Sequence, residues 1–347
     1  MSRISASPTG LVTEEMKDYY TSFALGGFAM IITEGLYTDN RNSKAYENQP
    51  GLVATEHVNA WKPVIEAVHQ HDALLIAQLM HAGALSQLNE QTIAPSAIQP
   101  IGSKLKQFGG EGMFPLPKEM DPEDIEIAEK GFVSAAICAH NAGFDGVELH
   151  AANGYLLDQF ITQELNHRSD SYGGSIEARL SLIREIVEAI RERLPKEFVI
   201  GLRLSEGKVN DLSYRWKDGH LTAGKVLRGV KKLKIDYIHI AVQTGEWERD
   251  SFYDNGTSFA SLAREITGKP VIVNGSMHIL EKAERALNEG HADFVAIGKA
   301  AIADPHWPIK ILEGRAVKHF HKDMLWPEAT ISHSSKIRDR LDKQIHY

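Results

Sequence analysis

The chain has 347 residues, of which 43% are hydrophobic and 24% charged, a composition typical of a folded globular protein. Its formal charge of −8, from 38 Lys and Arg against 46 Asp and Glu, comes with no clustered basic face, so we expect no nucleic-acid partner. The chain has no apolar run of about 18 residues, no secretory-type N-terminus and a single cysteine, Cys138. We therefore expect no membrane span, no disulfide, no iron–sulfur or cysteine-based zinc site, and a cytoplasmic location.

Short apolar runs alternate with longer segments of helical period along the chain. Nearly every position in each run is apolar, which is typical of parallel strands covered by helices on both faces. The predicted strands are AMIITEG (29–35), ALLIAQL (73–79), GVELH (146–150), VIGLRL (199–204), YIHIAV (237–242), PVIVNG (270–275) and FVAIG (294–298). The predicted helices are 13–25, 57–72, 121–143 (with Asp121 as N-cap and Pro122 in the first turn), 175–194, 222–233, 258–268 and 279–290. Such alternation implies right-handed βαβ units.

The predicted fold is an α/β (β/α)₈ barrel in which the first strand is missing or truncated at the N-terminus. Seven strands are visible, and the eighth would have to precede the loop-like segment at the start of residues 1–28. An open doubly wound sheet is the alternative, although no strand is followed by a G-x-G-x-x-G turn. We expect residues 1–320 to form the barrel and residues 321–347 a C-terminal tail or helix. The aperiodic segment 83–121 predicts a lid or cover.

Polar residues follow the last two predicted strands, at the end of a barrel where active sites form. Gly275 and Ser276 follow one strand, and Gly298 and Lys299 follow the next. Backbone N–H groups at such glycines, together with a lysine, can hold a phosphate group. The alternative is that both glycines only make tight turns.

A second group of polar residues, His150, Asn153 and Tyr155, follows the run at 146–150. His and Asn side chains can both donate hydrogen bonds to one carbonyl oxygen and stabilise negative charge there. A tyrosine can give a proton to a neighbouring carbanion or enolate carbon. From the residues alone, a structural hydrogen-bonding role for the histidine stays open.

Arg203 lies within an apolar strand, where an unpaired charge is costly to bury. It therefore needs an electron-rich partner. A carboxylate such as Glu148 or Glu34 would serve, and so would an anionic ligand.

The segment GFDGVELHAANGYLLDQFITQELNHRSDSYGGSIEARL (143–180) resembles the hallmark stretch of the Old Yellow Enzyme family, the NADH:flavin oxidoreductases. QLMHAG (78–83), GLRLS (201–205), PVIVNG (270–275) and ADFVAIGKAAIADPHWP (292–308) also match in order and spacing. The resemblance implies a (β/α)₈ barrel with FMN at its carboxyl-terminal mouth and NADH or NADPH as electron donor. It further implies ping-pong reduction of the activated C=C bond of a small carbonyl or enone compound.

The resemblance also implies roles for single residues. The implied flavin contacts are Gln78 at the pyrimidine edge, Arg203 near N1 and O2, Gly35 against the ring system, Ser2 near O4, and Gly275, Ser276, Gly298 and Lys299 at the phosphate. His150 and Asn153 would bind the substrate oxygen, and Tyr155 would be the proton donor. The sequence departs from the family pattern at Lys299, where Arg is commoner, and at Met80, where Trp is common. The single cysteine favours the single-domain branch of the family.

Two other functions remain open. One is a flavin-free, phosphate-binding barrel lyase or isomerase, for which Glu34 and Glu148 are the candidate carboxylates. The other is a truncated, non-catalytic flavin-binding protein. The histidines of His69-x-His71 and His319-x-His321 are interpreted as surface residues rather than metal ligands. We expect no membrane partner, and the sequence leaves a homo-oligomer open.

Overall fold

The computed structural model describes residues 1–242 and 244–345. Its strands are β1 (Met30–Ile32), β2 (Leu36–Tyr37), β3 (Leu74–Met80), β4 (Ile93–Ala94), β5 (Lys118–Glu119), β6 (Gly146–Asn153), β7 (Val199–Lys208), β8 (Tyr237–Ile240), β9 (Val271–Val273) and β10 (Phe294–Val295). Its α-helices are α1 (Glu14–Leu25), α2 (Thr55–His69), α3 (Pro122–Ala142), α4 (Leu156–Ile161), α5 (Ile176–Arg179), α6 (Ser181–Arg193), α7 (His220–Val230), α8 (Trp247–Asp250), α9 (Phe259–Thr267), α10 (Leu280–Asn288), α11 (Lys299–Ala303), α12 (Trp307–Leu312) and α13 (Ile331–Ile345). Short 3₁₀ helices span Gly83–Leu85, Lys106–Phe108, Gln163–Leu165 and Lys322–Leu325.

The main sheet consists of parallel strands in the order β1-β3-β6-β7-β8-β9-β10, with β2 also paired to β3. The seven strands of this path coincide with the seven predicted apolar runs, which confirms the parallel α/β fold. Within the described residues no strand joins β10 to β1. Met1 lies near this gap, with its sulfur 3.2 Å from where a Cβ on Gly298 would stand.

The strands β3, β6, β7, β8 and β9 are mostly buried on both faces, as their continuous apolar sequence predicts, whereas Phe294 of the edge strand β10 is exposed. In β3, the side chains of Leu75, Ile76 and Leu79 are all fully buried. Burying each of these side chains contributes roughly 1.5–3 kcal/mol. The helices cover the outer face through small or aliphatic residues, such as Ala135 and Ala139 of α3. The core therefore holds the strand ends, and the side chains at them, in fixed positions.

Helix α3 begins as the sequence predicts. Asp121 is its N-cap, with Pro122 in the first turn, and Asp121 and Asp124 form a reciprocal capping box. Gly143, with φ of 103°, ends the helix in the left-handed conformation that glycine adopts at little cost. Cys138 is half-buried on this helix against the core. The predicted helix at 175–194 is instead two helices, α5 and α6, which divide at Leu180.

The segment 83–121 and the C-terminal segment both pack onto the barrel. Between residues 83 and 121, β4 and β5 form a small parallel sheet, and Phe108 contacts Tyr46 with 4.8 Å between the ring centroids. At the C-terminus, the buried Met324 joins a cluster with residues of α11 and α13. Arg3, fully buried, donates a hydrogen bond of 2.8 Å to the carbonyl of Thr330. Every helix in the described part of the chain is too short or too polar to span a membrane.

Candidate active site

His150 lies near the carboxyl end of β6, directly beside Arg203 of β7 in the sheet register. Its side chain is buried, and its Nδ1 has no hydrogen-bond partner within the described residues. Burial, and then the nearby charge of Arg203, lower the pKa of His150 well below its usual value. The imidazole is therefore neutral near pH 7 and has an unused polar atom.

Asn153 ends β6 with φ of 69°, a left-handed conformation that asparagine tolerates better than most residues. Its backbone N–H donates to Ser205 Oγ at 2.8 Å, and its carbonyl accepts from Val209 N at 3.0 Å. These two bonds use the main chain and leave the side chain free. Asn153 Oδ1 is buried and has no partner among the residues that the structure describes.

Tyr155 is buried next to His150, with the two rings edge to face and their centroids 5.1 Å apart. Its hydroxyl hydrogen-bonds the hydroxyl of Tyr46, which lies near Ser2. Burial and the neighbouring Tyr46 raise the pKa of Tyr155 well above its usual value, so the hydroxyl keeps its proton. Tyr46 was not predicted from the sequence, because it lies 109 residues away in the loop after β2.

A buried ion pair holds the turn that carries these side chains. Asp158 of α4 accepts the backbone N–H of Gly154 at 2.6 Å, between Asn153 and Tyr155. Lys208, at the end of β7, donates to both oxygens of the same carboxylate at 2.7 and 2.8 Å. Both side chains are almost completely buried. Neither residue was singled out in the sequence, since their pairing depends on the contact between two strand ends.

A second buried group lies around Glu148, which points from β6 and is fully buried. Its carboxylate accepts hydrogen bonds from Gln78 Nε2 at 2.7 Å, the Tyr237 hydroxyl at 3.0 Å and His239 Nδ1 at 3.0 Å. His239 also contacts Arg203, whose Nη1 lies 2.8 Å from both ring nitrogens. A neutral imidazole with its proton on Nδ1 satisfies both contacts, because Nε2 can then accept from the guanidinium.

The charges in this group are one anion and one cation. Burial alone would raise the pKa of Glu148, but the interactions with His239, Arg203 and Gln78 outweigh it and lower the pKa to about 2. Burial lowers the pKa of His239, which keeps the imidazole neutral. The carboxylate partner of Arg203 is therefore Glu148, through His239. The other candidate, Glu34, accepts instead from the backbone N–H of Arg3 at 2.7 Å.

The residues predicted to bind phosphate lie on neighbouring loops after β8, β9 and β10. Gly275 has φ of 105°, and a Cβ there would stand 2.9 Å from the backbone nitrogen of Trp247. Ser276 donates its hydroxyl to the carbonyl of Gly245 at 2.7 Å. Lys299 Nζ would stand 4.0 Å from a Cβ on Gly245. The loop at Gly245 was missed by the sequence analysis, although its glycine follows a predicted strand.

Gly35 and Gln78 lie on the opposite side of the mouth, after β1 and within β3. A Cβ on Gly35 would stand 2.7 Å from the sulfur of Met80, so no larger residue fits without displacing that side chain. The carbonyl of Gly35 accepts from Gln49 Nε2 at 2.7 Å. Met80 also packs in the cluster that contains Tyr46 and Tyr155. The side of Gly35 on which a Cβ would stand is therefore filled by Met80.

The histidines His69 and His71 lie outside this region. His69 Nε2 contacts Asp145 at 2.9 Å, and its side chain is 39% exposed. In the described part of the chain, no three His, Cys, Asp or Glu side chains are grouped as a metal site would require.

Comparison with known proteins identifies the family. The model of the NADH:flavin oxidoreductase / NADH oxidase family matches residues 1–318. An NADH oxidase from Thermoanaerobacter brockii is 31% identical over 89% of this chain, which spans only 47% of that relative. A probable flavin mononucleotide-dependent alkene reductase from Leishmania infantum is 31% identical over 90% of this chain and 85% of its own length.

A solved structure shows the same fold. The Old Yellow Enzyme homologue from Zymomonas mobilis superimposes with a TM-score of 0.83 and 26% identity, covering 96% of this chain and 93% of its own. The family match spans nearly the whole barrel and includes the strand ends described above. The chain belongs to the NADH:flavin oxidoreductase / NADH oxidase family, the Old Yellow Enzyme family that its central motif resembles.

Proposed function

We propose that this protein reduces the activated C=C bond of a small carbonyl compound, with FMN as its cofactor and NADH or NADPH as electron donor. The family uses a flavin and a nicotinamide donor. The observation that carries the proposal is one cluster at the end of β6. Among the described residues the side chains of a neutral His150 and of Asn153 make no hydrogen bond, so an imidazole N–H and the Asn153 Nδ2 group can donate to a ligand, and both lie beside a protonated Tyr155.

The residues at the mouth fit FMN. Among the described residues, the guanidinium of Arg203 uses only Nη1, in its contact with His239, so its other N–H groups can meet an electron-rich ring edge. Gln78 gives its amide N–H to Glu148, which leaves Oε1 to accept from a ring N–H. Lys299, Ser276, Gly275 and Gly298 would hold the phosphate. Gly35 would lie against the ring system, and Ser2 beside it near O4.

Bound FMN would supply the hydride, and the chain's own residues would prepare the acceptor. His150 and Asn153 would hold the carbonyl oxygen and stabilise the negative charge that develops on it, at roughly 3 kcal/mol of barrier for each donor. Tyr155 would give its hydroxyl proton to the α-carbon, a step worth about 10²–10⁴-fold in rate. The ion pair of Asp158 and Lys208 would keep the turn from Asn153 to Tyr155 in place.

The same site would serve both half-reactions, because the nicotinamide and the acceptor must each reach the same flavin face in turn. This arrangement predicts a ping-pong cycle. A flavin-free lyase receives no support from the family match. We also propose that residues 1–320 form the catalytic barrel with residues 321–347 as an appended segment, and that the enzyme works in the cytoplasm, in keeping with its single cysteine.

The proposal is tested by flavin spectroscopy. We expect the protein to bind FMN, to lose its flavin absorbance on anaerobic addition of NADH or NADPH, and to regain it when 2-cyclohexenone is added. Cyclohexanone, which lacks the C=C bond, is the control and should leave the reduced flavin unchanged. Failure of both nucleotides to bleach the flavin would refute the nicotinamide-driven reaction. Bleaching without reoxidation by the enone would refute the proposed acceptor class.

A further inference from the structure

The two side chains proposed to contact the flavin ring from β3 and β7 are both tied to one buried carboxylate. Glu148 binds Gln78 directly and Arg203 through His239. We infer that Glu148 is a positioning residue that fixes the amide of Gln78 and partly offsets the charge of Arg203, and so sets the affinity for FMN and its reduction potential. The inference rests on the proposed placement of FMN, but not on the acceptor that the enzyme reduces.

The orientation of Gln78 follows from the acceptor-only character of a carboxylate. Three donors converge on Glu148, namely the Gln78 amide, the Tyr237 hydroxyl and His239 Nδ1. Because an ionised carboxylate has no hydrogen to offer, the Gln78 amide must turn its NH₂ group inward, at 2.7 Å. The Gln78 Oε1 atom then faces away from Glu148. A neutral amide at position 148 would also have a donor, and the Gln78 amide would lose this single orientation.

The expected effect of Glu148 on the flavin reduction potential follows from the burial of its charge near Arg203. Glu148 is fully buried, and His239 contacts both its carboxylate and the guanidinium of Arg203. The interaction lowers the pKa of Glu148 and keeps it charged at neutral pH. An anion here weakens the positive field that Arg203 presents to the flavin. Removing it would leave that field unopposed and would favour the reduced, negatively charged form of the flavin.

The test uses two variants of the full chain and one control. Glu148→Gln removes the charge with little change of shape, and Glu148→Asp keeps the charge with a shorter reach. Glu206→Gln is the matched control, because Glu206 is a buried carboxylate on β7 that accepts from Trp216 N at 3.1 Å and contacts neither Gln78 nor Arg203. For each protein, the FMN dissociation constant is measured by titrating apoprotein, and the midpoint potential by equilibration with a reference dye.

For Glu148→Gln we expect weaker binding of oxidised FMN and a more positive potential. A tenfold rise in the affinity for reduced relative to oxidised flavin corresponds to about 30 mV for a two-electron couple. For Glu148→Asp we expect weaker binding with the potential near that of the wild type, and for Glu206→Gln no change in either. An unchanged or more negative potential in Glu148→Gln would overturn the charge effect. If that variant does not fold, wild-type affinity in Glu148→Asp would overturn the positioning role.

These readouts need neither nicotinamide nor enone. A protein that binds FMN with the expected shifts but does not reduce enones would refute the proposed reaction and leave the role of Glu148 standing. Conversely, the wild-type protein could reduce enones while Glu148→Gln binds FMN with wild-type affinity and midpoint potential. That result would refute the role of Glu148 and leave the proposed reaction standing.

Discussion

Replacing Tyr155 by Phe isolates the proposed proton donor, because it removes one oxygen and keeps the ring. The ring packs edge to face against His150, and that contact survives the change. The lost hydroxyl is bonded to the buried hydroxyl of Tyr46. The variant should therefore lose about 1–3 kcal/mol of folding free energy, the cost of leaving one buried hydroxyl without its partner. Its rate of enone reduction should fall by about 10²–10⁴-fold, the usual contribution of a general acid.

The assay separates the two half-reactions by anaerobic stopped-flow absorbance. Flavin reduction by the nicotinamide needs no proton from Tyr155, so its rate should stay within about twofold of the wild type. Reoxidation by 2-cyclohexenone should slow by the factor above. Tyr172→Phe is the matched control, because its hydroxyl also makes one hydrogen bond, to Glu185 at 2.9 Å, away from the β6 end. Equal losses in both half-reactions, or none in either, would refute the assignment.

Two further predictions concern the stability of the turn from Asn153 to Tyr155 and the pH dependence of enone reduction. Lys208→Met should lower the free energy of unfolding by about 3–5 kcal/mol, as measured by urea unfolding, because it leaves the buried Asp158 carboxylate without its cation. A decrease of less than about 1 kcal/mol would contradict the pairing of Lys208 with Asp158. The rate of enone reduction should be flat between about pH 6.5 and 9, because burial lowers the pKa of His150 and raises that of Tyr155, so that both stay neutral in this window. A rate that follows an ionisation within that window would show that one of these groups is solvated.

Most of the predicted site residues lie in or just after strands, and the structure brings them to one end of the barrel because the carboxyl ends of its parallel strands converge there. His150, Asn153 and Tyr155 are close in sequence, so their proximity needed little tertiary information. Their unused polar atoms, Nδ1 of His150 and Oδ1 of Asn153, are visible only when the surrounding contacts are known. Tyr46 could not be predicted as part of the site, because nothing in the sequence of its own loop indicates a hydrogen bond to Tyr155.

The partner of the buried Arg203 charge likewise could be anticipated from the sequence but not identified from it. The sequence predicted that Arg203 needs an anionic partner, since a lone cation in an apolar strand is costly. It could not choose between Glu34 and Glu148, because both lie in predicted strands. The structure places His239 between Arg203 and Glu148 and gives Glu34 to the backbone of Arg3. Histidine at position 239 looks like an ordinary strand residue until its two neighbours are known.

By itself, the sequence determined the parallel α/β fold, its seven apolar strands, the capping of α3 and the family, because these depend on periodicity and on short continuous motifs. The tertiary structure decided which side chains share a contact: Tyr46 with Tyr155, Lys208 with Asp158, and Glu148 with both Gln78 and His239. These contacts join residues from different strands and loops. The order and register of the strands determine them, and neither can be read from one segment of chain at a time.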